Sequence, residues 1–119
     1  MKPLFIQYPQ CGTCRKAAKW LQENNIGVAS RHIIQDNPNE KELSEWIDKS
    51  GLPIQKFFNT SGQLYRSMNL KDKIKATSKN ELISILASNG MLVKRPLLIT
   101  DKTVLVGFKE EEWKSSLPE

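Results

Sequence analysis

The run Pro3-Leu4-Phe5-Ile6-Gln7-Tyr8-Pro9-Gln10-Cys11-Gly12-Thr13-Cys14-Arg15-Lys16-Ala17 decides the fold. Residues 3–8 are apolar and aromatic and read as a strand, which Pro9 ends. From Cys11 the period changes. Cys14, Ala17, Ala18 and Leu21 recur at helical spacing and predict the inward stripe of a helix from about Cys11 to Asn24. Arg15, Lys16, Lys19, Gln22 and Glu23 are left for solvent. Val28 to Ile34 reads as a second strand. Strand, helix and strand in that order demand a parallel pair joined by a right-handed crossover.

Beyond it the chain turns helical. Asn39-Glu40-Lys41-Glu42 has the form of a capping box opening a helix that buries Leu43, Trp46 and Ile47 and stops at Gly51. Leu52-Pro53 begins a short turn or helix through Phe57. Residues 59–62 read as a loop, and Leu64 to Ala76 as one or two short helices. Ser78-Lys79-Asn80-Glu81 is a second capping box, for a helix that buries Leu82, Ile85 and Leu86 and ends at Asn89-Gly90. Leu97–Thr100 and Thr103–Val106 form a tight hairpin around Asp101-Lys102, ended by Gly107. Lys109 to Leu117 closes the chain as a helix with Trp113 and Leu117 inward. The class is α/β: a small mixed sheet covered by helices.

The 119 residues, 39% of them hydrophobic, suit one domain with a core that needs no metal or disulfide support. No apolar stretch approaches the ~18 residues of a membrane span. Leu4-Phe5-Ile6 before Gln7 is too short for a signal peptide, so a soluble cytoplasmic protein, taken as a monomer, is expected. Eighteen basic against thirteen acidic residues give a charge of +5. That balance permits anions and acidic partners. With no helix-turn-helix, aromatic ladder or dense basic stripe, direct nucleic-acid binding is not expected.

The two cysteines, Cys11 and Cys14, carry the chemistry. A disulfide across so short a loop removes little unfolded-chain entropy, so reactivity explains the pair better than stability does. A helix N-terminus offers free N–H groups and a positive dipole end. A thiolate at Cys11 suits that place, and its pKa should fall below the free value of ~8.5. Arg15 and Lys16 add charge in the next turn. Cys14 lies on the same helical face, so one thiol can attack and the other resolve a mixed disulfide. Zinc needs about four ligands, and the chain offers two cysteines and His32, so no metal is expected. His32 reads as a structural histidine, and Trp20, Trp46 and Trp113 as packing residues. A phosphatase-like loop needs an arginine six positions after its cysteine, where this chain has Ala17 or Trp20. Lys94-Arg95-Pro96 precedes a strand. Its proline is either cis, presenting backbone to a thiol substrate, or an ordinary trans strand start.

Together, Cys11-Gly12-Thr13-Cys14-Arg15-Lys16-Ala17, Phe57-Phe58-Asn59-Thr60, Lys94-Arg95-Pro96 and Val106-Gly107-Phe108 resemble the ArsC/Spx family of arsenate reductase-like proteins and Spx/MgsR-type regulators. The match runs in order over nearly the whole chain. The resemblance implies a thioredoxin-like fold over residues 1–119, with a helical insertion at about 38–92. It implies a cis Pro96 facing the cysteines, Cys11 as the exposed nucleophile with Cys14 resolving, and an anion or substrate site at Arg95, Pro96 and Lys16. Glutathione, glutaredoxin or thioredoxin would be the reductant, with no bound cofactor. Glutaredoxin-coupled arsenate reductases of the family hold the oxyanion with three arginines. Arg95 matches one, Asn59 stands at the second, and Val106-Gly107 offers no third. Gly51 falls where the regulators have a glycine in their RNA polymerase-contacting surface. The leading expectation is a thiol–disulfide oxidoreductase. The alternatives are a redox-sensing regulator that binds RNA polymerase and a glutathione/glutaredoxin-dependent arsenate reductase.

Overall fold

Phe5 and Ile6 are neighbours in the chain and belong to different cores. The pleat of one strand separates them, as the two-residue period of extended backbone requires. The structure, a computed structural model, describes residues 2–117. Strand β1 (Leu4–Gln7) leads into helix α1 (Gly12–Glu23) and strand β2 (Ala29–His32). Helices α2 (Glu40–Ser50), α3 (Gln63–Ser67), α4 (Leu70–Ala76) and α5 (Lys79–Ser88) follow, with 3-10 turns at Ile54–Phe57 and Gly90–Leu92. Strands β3 (Leu97–Ile99) and β4 (Val104–Val106) and helix α6 (Glu110–Ser116) end the described chain. The sheet order is β2-β1-β3-β4. The β1–β2 pair is parallel and the other two pairs are antiparallel.

Register sets the two cores. Phe5 pairs with Leu98, and Leu98 with Leu105. All three face Ala17, Trp20 and Leu21 of α1 and Trp113 of α6. Ile6, Leu97, Ile99 and Val104 face the opposite way, against Leu43, Trp46 and Ile47 of α2 and Leu82, Ile83 and Leu86 of α5. Each aliphatic side chain or phenylalanine fully buried in this way contributes roughly 1.5–3 kcal/mol. The result is three layers in a thioredoxin-like α/β fold, with α2–α5 carried between β2 and β3. No helix among the described residues is long and apolar enough to cross a membrane.

Three details differ from the sequence reading. Strand β2 is shorter than Val28–Ile34. The chain bends after His32, where His32 Nδ1 accepts the N–H groups of Ile34 and Gln35 at 3.1 Å each. Arg31 holds the following turn by donating to the carbonyls of Asp36 and Asn37. On α1, Trp20 is buried and Ala18 is exposed, lining an open groove with Val28 and Ser30 at the β2 edge of the sheet. On α5, Ile83 is buried and Ile85 is only half-buried. The Asn39–Glu42 capping box forms in full, and Gly51 ends α2 in the left-handed region at φ +69°. At Ser78 the structure gives the hydroxyl half of the second box, accepting the Glu81 N–H.

Candidate functional site

The site starts from a chain reversal. After β1, the Tyr8-Pro9-Gln10 segment turns, and the Cys11 N–H donates to the Tyr8 carbonyl at 2.9 Å. Cys11 then stands at the N-cap of α1 with extended backbone (φ −87°, ψ 124°), and its carbonyl receives the Arg15 N–H at 3.1 Å. Cys11 is half-buried and Cys14, one turn on, is 1% exposed. Both are free thiols. The Tyr8 N–H points at the Cys14 sulfur, 3.5 Å away. The same residue therefore touches both cysteines through its main chain.

The two thiols are pushed apart. Partial burial raises the Cys11 thiol, but the Cys14 amide, the Cys14 side chain, the Arg95 guanidinium and the Thr13 amide outweigh it, and the net direction is down. The amides act at longer range than a formal cap hydrogen bond, which the Cys11 side chain does not make. Burial pushes the Cys14 thiol up to about 12. The Cys11 side chain adds to the rise, against the Tyr8 N–H and Arg95. At neutral pH Cys14 is thus the protonated partner, donating its S–H towards Cys11.

Arg95 arrives from the far end of the helical insertion. The Asn59 N–H donates to the Leu92 carbonyl and the Lys94 N–H to the Phe57 carbonyl, both at 2.8 Å. Phe58 and Val93 form an antiparallel bridge between them. This brace delivers Arg95 to the cysteines. The Arg95–Pro96 bond is cis. The Pro96 carbonyl accepts the Gly107 N–H at 2.8 Å, and Gly107 sits at φ +74°, a conformation that favours glycine. The Arg95 guanidinium carbon lies 5.0 Å from the centre of the Tyr8 ring. Its Nε and Nη1 are buried and make no hydrogen bond among the described residues.

The structure therefore gathers Cys11, Cys14 and Arg95, with Pro96 next in the chain. Arg15 and Lys16 are exposed on α1, and the cation that lowers both thiols is Arg95. Asn59, which stands where the resemblance puts a second arginine, is neutral, and its side-chain NH₂ donates to the Met91 carbonyl at 3.4 Å. His32 meets Tyr8 edge to face at 5.8 Å between ring centres. Tyr8 is the residue that sequence reasoning overlooked. Its one signal was an aromatic side chain three positions before Cys11.

A model of the ArsC family matches residues 6–116. The chain belongs to the ArsC family. The Bacillus subtilis protein YusI, itself uncharacterized, is 47% identical over 116 residues, 98% of each chain. A Bacteroides fragilis structure described as ArsC family related is 56% identical, covers 97% of both chains and superposes with a TM-score of 0.94. The global transcriptional regulator Spx of Staphylococcus epidermidis is 30% identical over 118 residues, 99% of this chain and 88% of the regulator. The ArsC-family neighbours share the thioredoxin-like architecture, and the family holds regulators as well as reductase-like proteins.

Proposed function

We propose that this ArsC-family protein is a thiol–disulfide oxidoreductase working in the cytoplasm. One observation carries the reading: two thiols one helical turn apart are driven in opposite directions, Cys11 down and Cys14 up. The Cys11 thiolate attacks one sulfur of a substrate disulfide. A bond forms between Cys11 and that sulfur, the substrate S–S bond breaks, and the departing thiolate takes a proton from water. Cys14 then loses its proton to water and attacks the Cys11 sulfur. The second substrate thiolate leaves, and a Cys11–Cys14 disulfide remains. The substrate gains two electrons and the pair loses two. Two thiols of glutathione, or the dithiol of glutaredoxin or thioredoxin, return them and become the disulfide.

The order of events is built into the electrostatics. Part of what raises Cys14 comes from Cys11 itself, through their contact and through charge. Consuming the Cys11 thiolate in a mixed disulfide removes both contributions. The Tyr8 N–H and Arg95 remain to favour the Cys14 thiolate, so the resolving sulfur becomes easier to ionise once it is needed. Arg95 and the α1 amides hold negative charge at the reacting sulfur, Arg95 and Pro96 form the side on which a substrate would rest, and Lys16 adds positive charge from the exposed surface of α1.

The likeness to Spx favours a second reading, in which the same disulfide switches a surface that engages RNA polymerase. Arsenate reduction is a third. Three guanidiniums would hold that oxyanion by charge-assisted bonds, whereas Arg95 is accompanied by a neutral Asn59 and by Val106-Gly107. A Cys14→Ser trap in lysate tests the first reading. It should hold the substrate on Cys11 as a stable mixed disulfide, and the purified wild type should turn that substrate over. Retention of polymerase with no turnover would instead support the regulator. Arsenate-dependent oxidation of glutathione would support the third reading.

A further inference from the structure

Arg95 presents a problem of accounting. Its Nε and Nη1 are buried without a hydrogen-bond acceptor. A buried, unmatched N–H on a charged group costs more than the bond it forgoes. The group that carries those nitrogens lies over the face of Tyr8, with the guanidinium carbon 5.0 Å from the ring centre. An aromatic face attracts a cation, and a planar guanidinium stacks on it.

The same tyrosine is tied to the site three more times. Its carbonyl receives the Cys11 N–H at 2.9 Å, and its N–H points at the Cys14 sulfur at 3.5 Å. Its hydroxyl donates to Gln10 Oε1 at 2.5 Å, within the turn that leads to Cys11. From β2, His32 packs edge to face on the ring and limits its rotation. The ring that carries the arginine is thus fixed to the backbone that carries the sulfurs.

We propose that Tyr8 is a positioning residue, whose ring face holds the Arg95 guanidinium beside Cys11 and so sets the charge on the attacking sulfur. This rests on Cys11 being the attacking thiolate. The groups that face Cys11 are Cys14 and Thr13 from α1 and Arg95 from the segment before β3. Of these, only Arg95 depends on the Tyr8 ring for its place. Tyr8 touches no substrate in this scheme and acts through Arg95.

The test is the pH profile of Cys11 alkylation by iodoacetamide between about pH 5 and 10, followed by mass spectrometry on five proteins: wild type, Y8F, Y8L, R95Q and the double variant Y8L/R95Q. Y8F keeps the face and should match the wild-type midpoint. Y8L should raise the midpoint and slow alkylation near the wild-type midpoint by about two- to tenfold. In the R95Q background, Y8L should add nothing, because the arginine through which it acts is gone. An unmoved midpoint in Y8L, or a Y8L shift that persists in R95Q, overturns the proposal. An ordinary wild-type midpoint would instead sink the role given to Cys11, so the two failures are distinguishable. Should Y8L lose its fold, the wild type decides alone. In a 15N-resolved spectrum the Arg95 Nε–H should be shielded by the ring and slow to exchange, and an unshifted, fast-exchanging signal overturns the proposal.

Discussion

Gly90 stands so close to Ile33 that a Cβ on residue 90 would fall 1.9 Å from the Ile33 carbonyl oxygen and 2.8 Å from its carbon. The contact lies where the helical insertion returns to the sheet, just after β2 on one side and shortly before β3 on the other. The peptide that carries the Ile33 carbonyl cannot swing aside freely, because its N–H, that of Ile34, is spent on His32 Nδ1 at 3.1 Å. Gly90→Ala is therefore expected to destabilise the fold by about 1–3 kcal/mol through overpacking against backbone. Urea unfolding should show a lower midpoint at unchanged slope. A wild-type midpoint would mean that the insertion is not docked as tightly as this contact implies.

Arg31 and Glu42 tie the edge strand to α2. The guanidinium meets both carboxylate oxygens, at 2.6 and 2.8 Å, and the side chains are only 15% and 28% exposed. Hydrogen bonding from Arg31, with help from the Asn39 N–H, holds the Glu42 carboxyl below the ordinary glutamate range, against the upward push of burial. A depressed carboxylate contributes its stability above the unfolded value of ~4.3 and loses it as pH falls through the folded value. Glu42→Gln should cost about 1–2 kcal/mol at neutral pH. The gap should shrink in acid as the wild-type carboxyl takes its proton. Paired urea titrations at neutral pH and near pH 3 check this, and a gap that stays constant with pH would refute it.

Particular residues show how far the sequence could be read. Cys14, Ala17 and Leu21 declared their burial because helical spacing alone fixes one face. Ala18 shared the spacing but not the fate, since it lines an open groove with Val28 and Ser30 at the edge of the sheet, and no local pattern says where a sheet ends. Arg95 and Pro96 could be named from their position before a strand. The meeting of Arg95 with Tyr8 could not, because it depends on the brace between residues 57–59 and 92–94 and hence on the whole insertion folding back. Gly90 was legible as a helix stop, but the Ile33 carbonyl that forbids a side chain there was not.

The asymmetry of the cysteines predicts an order of modification. Cys11, half-buried and lowered, should alkylate first, whereas Cys14, 1% exposed and pushed up to about 12, should stay unmodified until the protein unfolds or the pH is strongly alkaline. Cys11→Ser removes the neighbour that adds to the rise of Cys14. The Cys14 midpoint should then fall, while burial still keeps it above the ordinary thiol range. Peptide-resolved mass spectrometry after timed iodoacetamide pulses gives both rates. Equal rates in the native wild type would contradict the burial and charge pattern together.

The sharpest consequence concerns the moment after Cys11 has reacted. Methyl methanethiosulfonate leaves a methylthio group on Cys11, which is the simplest mixed disulfide the site can hold. The Cys11 thiolate is gone, so the contact and the charge that raised Cys14 are gone with it, while the Tyr8 N–H and Arg95 still pull the other way. Cys14 should then expel methanethiol, and the pH at which this release reaches half its maximal rate should lie below about 12, the value of Cys14 beside a free Cys11. Arg95→Gln should move that midpoint upward, because one of the two groups favouring the thiolate is lost. Cys14→Ser should abolish release and leave the adduct stable. Stopped-flow thiol detection measures the rate directly. A release midpoint unmoved by Arg95→Gln would mean that the arginine serves Cys11 alone, and a wild-type midpoint no lower than about 12 would mean that burial, not Cys11, governs when Cys14 ionises.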